Sequence, residues 1–112
     1  MAKALDYRLY VGYLITDDVP WGSLDQPLED LAEQHGFDRA GAGTDFIGRD
    51  IDFVRPEPLS EDQRQHLEEA LRAIPGLYSA AYAEEMWDYD TGDYFEDEST
   101  TYPLVFHAEE AG

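Results

Sequence analysis

The spacing Asp88-x-Asp90-x-Gly92-Asp93 sets alternate carboxylates ahead of a glycine turn, an arrangement by which a loop can wrap a hard cation in oxygen ligands. It departs from a calcium loop where Gly92 replaces a ligand, where Asp93 replaces the turn glycine, and where Ser99 replaces the closing Glu. A polar hairpin turn is the simpler reading. His66 and Glu69 stand three apart, a spacing that shares one helix face, but two residues make a weak ligand set in so acidic a chain. His35 and His107 fall near a helix end and in a late strand, with no ligand partner in spacing. Gly41-Ala42-Gly43-Thr44 lacks the Lys and the wider glycine spacing of a phosphate loop. No nucleophile elbow surrounds any Ser, and the chain has no Cys. We expect a protein that is not an enzyme and holds neither metal nor cofactor.

The chemistry that remains is electrostatic. Twenty-six acids face seven bases, a formal net charge of −19, and no Lys or Arg follows Arg72. The run from Glu84 to Glu98 holds Glu84, Glu85, Asp88, Asp90, Asp93, Glu96, Asp97 and Glu98. Trp87, Tyr89 and Tyr94 are interleaved with them, whereas a solvating disordered tail is poor in aromatics. Such a surface repels phosphates, so direct binding of nucleic acid or of anionic membranes is not expected.

Elements must hold these groups in place. Tyr7, Leu9, Val11, Tyr13 and Ile15 alternate with Arg8, Tyr10 and Gly12, which predicts a strand from Asp6 to Ile15. Leu24, Leu28, Leu31 and Ala32 predict a helix capped by Asp25, with Ser23 the competing cap, and stopped by Gly36. Phe37 to Phe46 and Arg49 to Arg55 read as a hairpin. Ser60 with Gln63 makes a capping box for a second helix, which carries Leu67, Ala70, Leu71 and Ile74 and stops at Pro75-Gly76. Strands follow from Leu77 to Met86 and from Thr101 to His107, with the acidic segment as an insert or hairpin between them, its turn at Asp90-Thr91-Gly92. The last five residues are expected to fray.

This order predicts an α+β fold, a ferredoxin-like split βαβ arrangement (βαββαβ) with an acidic insert and an extra C-terminal strand, as one domain over residues 1–112. If Ile51 and Phe53 face the core, Asp50 and Asp52 project from the other side, about 6.5 to 7 Å apart, like successive backbone phosphates. Glu29, Asp30 and Glu33 on the first helix, and Glu61, Asp62, Glu68 and Glu69 on the second, are expected to extend such rows. No apolar run reaches membrane-spanning length and the first ten residues are too polar for a signal peptide, so a cytoplasmic protein is expected.

Small size, one acidic domain, a ferredoxin-like core and the run from Glu84 to Glu98 together resemble the DNA-mimicking inhibitors that phages encode. Among these the chain is most similar to anti-CRISPR proteins directed at a type I surveillance complex, type I-C in particular. The resemblance implies a monomer in the host bacterial cytoplasm that binds a basic nucleic-acid-binding protein, a Cas subunit, and blocks target DNA. It is a likeness of composition and topology and assigns no residue a role. Two other readings fit the same residues. One is a housekeeping or immunity domain whose charge reflects a saline habitat or solubility; the other is a ligand-binding or catalytic domain using the open sheet face near Arg8 and Tyr10.

Overall fold

The computed structural model describes residues 2–45 and 47–105. Strand β1 (Lys3–Leu14) is followed by helix α1 (Asp25–Gln34), the hairpin of β2 (Asp38–Thr44) and β3 (Gly48–Arg55), helix α2 (Glu61–Arg72), and the long strands β4 (Leu77–Asp88) and β5 (Asp93–Val105). The five strands form one sheet in the order β2-β3-β1-β4-β5, with every neighbouring pair antiparallel. The fold is α+β, a five-stranded antiparallel sheet with two helices. No helix among the described residues is long and apolar enough to cross a membrane.

The period-two pattern of β1 decides which face is covered. Leu9, Val11 and Tyr13 are buried, and cross-strand pairing aligns Leu9 with Phe53 and Tyr82, and Val11 with Ile51 and Ala80. Leu28 and Ala32 from α1 and Leu67 and Leu71 from α2 join the same cluster, so both helices lie on that face. Each fully buried Leu of this set contributes about 1.5–3 kcal/mol. Tyr82 anchors the centre: its hydroxyl accepts the Leu59 N–H at 2.9 Å, and its ring stacks on Tyr102 at 5.8 Å.

Helix ends follow local chemistry. Ser60 and Gln63 form the reciprocal capping box expected of them. Gly36 has φ of 83°, and Gly36 N–H and Phe37 N–H donate to the Glu33 and Ala32 carbonyls, a Schellman end that needs a left-handed residue. The N-cap of α1 differs from expectation. Leu24 holds that position without a side-chain bond, because Asp25 directs its carboxylate to Arg49 instead; Pro27, in the first turn, forfeits no helical bond.

The acidic segment also differs from an insert. β4 runs past Met86 to Asp88 and β5 opens at Asp93 rather than Thr101, so the acids belong to one long hairpin whose tip is 89–92. Pairing of Trp87 with Tyr94 and Met86 with Phe95 carries the ladder through the acidic residues. Phe46, Phe106 and His107, and the frayed end expected after them, lie outside the described residues.

Candidate functional site

Strand register sorts the predicted residues onto different surfaces. Asp50 and Asp52 of β3, Glu85 and Trp87 of β4 and Tyr94 of β5 fall on the helix-free face of the sheet, alternating with core residues or paired across to residues that do. Glu84 points the other way, where the Tyr82 hydroxyl donates to its Oε2 at 2.9 Å. The helical acids expected to lengthen the rows cover the opposite side of the sheet. Among them Glu29 is paired with Arg39 and Glu68 with Arg72.

A cluster joins the predicted residues on the helix-free face. Arg8 lies between three carboxylates: Nη1 donates to Asp52 Oδ2 at 3.2 Å, Nη2 to Asp6 Oδ2 at 3.4 Å, and Nε stands 3.8 Å from Glu85 Oε1. Tyr10 donates to Glu85 Oε2 at 2.8 Å and the Trp87 indole N–H to Glu85 Oε1 at 3.3 Å. Burial first, and then the bond to Glu85, push the Tyr10 phenol well above its ordinary range, so it stays a donor. Desolvation and a hydrogen bond to Asp6 raise the Tyr89 phenol to about 12. One guanidinium thus serves three carboxylates and leaves the cluster negative.

The hairpin displays the rest. Opposite the single residue Glu85, β5 inserts the four residues 96–99, because Glu84 pairs with Thr100 while Met86 pairs with Phe95. Ser99 fastens this bulge: its hydroxyl donates to the Phe95 carbonyl at 2.8 Å and accepts the Met86 N–H at 2.9 Å. Glu96, Asp97 and Glu98 are exposed on it. Glu98 meets Lys3 at 2.6 Å, and Lys3 also sits 4.6 Å from the Phe95 ring centre. Asp93, Glu96 and Asp97 make no ion pair among the described residues. Tyr94 tilts against Trp87 at 4.9 Å beside them.

Asp88 does not belong to this display. It is buried, and its Oδ1 accepts the N–H groups of Asp90 and, at 3.4 Å, Thr91, so the carboxylate holds the turn from inside. The same bonds explain the calcium-like spacing as turn chemistry. Asp90 and Tyr89 are exposed at the tip.

Two features escaped the residue pattern. Asp6 joins the Arg8 cluster, and its signal was the same alternation that places Arg8 and Tyr10 outward. Arg49, second, is buried against Asp25 with Nε at 2.8 Å from Oδ1 and Nη2 at 2.6 Å from Oδ2. Tyr13 donates to the same Asp25 at 2.8 Å, and Trp21 lies 4.8 Å from the Arg49 guanidinium. Residues 24 apart carry no sequence signal for such a pair.

No protein family, no curated protein and no solved structure matches this chain.

Proposed function

We propose that this chain is a non-enzymatic, monomeric cytoplasmic inhibitor that presents nucleic-acid-like negative charge to a basic DNA-binding surface of a partner protein, and so excludes DNA. A subunit of a CRISPR-Cas surveillance complex is the partner that its likeness to phage inhibitors implies. The observation that carries this reading is the bulge of β5, where Glu96 and Asp97 stand unpaired and exposed on backbone pinned by Ser99. Rigid carboxylates beside exposed aromatics suit a partner rich in Arg and Lys, since charge steers the encounter and aromatic anchors hold it. The strand order β2-β3-β1-β4 with both helices on one face supports a ferredoxin-like core, to which β5 adds an edge strand that carries the acids.

A competition assay tests the reading. A purified type I-C surveillance complex is bound to fluorescent target DNA and titrated with this chain at about 50 and 300 mM salt, conditions that span weak and strong screening. Displacement of DNA that weakens at the higher salt is expected. The triple variant Asp93→Asn/Glu96→Gln/Asp97→Asn is expected to compete at least about tenfold less well, equivalent to ~1.4 kcal/mol. No displacement by the native chain, or equal displacement by the variant, rejects the proposal.

A further inference from the structure

The helix-free face has a second feature away from the acidic bulge. Register sets Gly41, Asp52, Tyr10, Ala81 and Pro103 in one row across it, and Gly43, Asp50, Gly12 and Ser79 in the next. The small side chains of Ser79 and Ala81 leave a groove of about 610 Å³. Tyr10, Asp50 and Asp52 form one wall, and Ser79, Ala81 and Pro103 the other. That volume lies within the range of small-ligand sites.

Gly12 stands beside the groove, between Asp50 and Ser79, which line it. It occupies the central strand, where glycine weakens a sheet, and its φ is not positive, so the backbone does not require it. A Cβ at this position would come within 2.8 Å of Asp50 Oδ1 and 3.1 Å of Ser79 Oγ. The missing side chain therefore lets the Asp50 carboxylate lean over the central strand at the edge of the groove. Asp50 makes no hydrogen bond or ion pair among the described residues, and Asp52 shares its one cation, Arg8, with Asp6 and Glu85. The Tyr10 hydroxyl is engaged by Glu85, which leaves its ring as the contact surface. An apolar trough with two under-neutralised carboxylates and an aromatic wall lacks a positive charge and an apolar body.

We propose that this groove is a binding site for a small organic cation, an amine or amidinium carried on an aryl or alkyl body. The body lies along Ala81 and Pro103 and the cationic head reaches Asp50 and Asp52, close to the Tyr10 ring. The groove is larger than one Lys or Arg side chain fills, which favours a free ligand over a partner's side chain. The site is independent of the role assigned to the acidic bulge.

The test is a backbone amide NMR titration of the full chain with 4-phenylbutylamine, alongside 4-phenylbutanol, which has the same body without charge, and methylammonium, which has the charge without the body. Saturable shifts are expected at Gly12, Ser79 and Ala81, with both controls at least about tenfold weaker. Asp50→Asn and the groove-filling Ser79→Leu are each expected to weaken the amine by about tenfold or more. Should Ser79→Leu fail to fold, Gly12→Val displaces Asp50 and Ser79 from the groove and decides in its place. Non-saturating shifts centred on residues 93–98, equal binding of the alcohol, or full affinity in the Asp50→Asn variant and the groove-filling variant would overturn the proposal.

Discussion

Asp25 and Asp97 are the same residue in opposite circumstances. Asp25 is tucked against the buried Arg49 with three guanidinium contacts and a phenol donor, and Arg49 in turn donates to Thr44 at 2.9 Å. Asp97 stands exposed between Glu96 and Glu98 on a bulge and makes no ion pair among the described residues. The first charge is offset by a buried guanidinium and holds α1 to β3. The second is left in solvent among like charges, where it adds nothing to the fold and remains available to a partner. In a chain this acidic, a carboxylate's role follows from the donors around it rather than from its position in a charge run.

The sharpest way to break this comparison is Asp25→Ala. It would leave a buried guanidinium without its counter-charge, and the unfolding free energy in urea is expected to fall by about 3–5 kcal/mol. The Arg49 hydrogen bonds hold the Asp25 carboxyl below its ordinary value of 3.8. A depressed carboxylate contributes stability that is complete above the unfolded pKa and is lost as pH falls through the folded one. The gap between native and Asp25→Ala stability should therefore stay constant from pH 7 to about 5 and close only below about 4. A gap that closes near neutral pH, or a loss under about 1 kcal/mol, would mean that the Asp25–Arg49 pair is no anchor.

The sequence made the framework legible and the pairings illegible. Alternation along β1, the Ser60–Gln63 box and Gly36 each act through neighbours within a few residues, and each appears as expected. Asp25 has the residue type and the place of a cap. The competing donor, Arg49, lies on another strand. The start of β5 was hidden for a related reason: Asp93, Glu96 and Asp97 have weak strand preference, and the ladder there rests on β4 rather than on local propensity. The acidic run itself was visible, but a charge count could not separate Asp88, turned inward, from Asp97, turned outward.

Ser99→Ala sharpens the comparison with a smaller effect. The substitution removes the acceptor of the Met86 N–H and the donor to Phe95, both at part-buried positions, and should destabilise the protein by about 1–2 kcal/mol. Hydrogen exchange should rise at Met86 and across residues 95–99, with the amides near Asp25 unchanged. Exchange that rises equally around Arg49 would show that the two regions open as one unit.

The smallest effect is the most diagnostic, because its sign is opposite. Two unit charges about 7 Å apart in water repel by roughly 0.6 kcal/mol before screening. With a Debye length near 8 Å at physiological salt, less of that repulsion survives. Asp97→Asn removes one such charge and breaks no bond among those described, so it should raise the unfolding free energy in urea slightly, by no more than about 0.5 kcal/mol at low salt. The gain should vanish near 0.5 M salt, where screening has already removed the repulsion. The Asp25→Ala loss should largely persist at that salt, since the Arg49 guanidinium is buried and its short bonds to Asp25 are screened much less than surface charges. If Asp97→Asn instead destabilises the chain and salt does not restore it, the bulge carboxylate is a structural partner like Asp25, and its availability to a binding surface falls with the distinction.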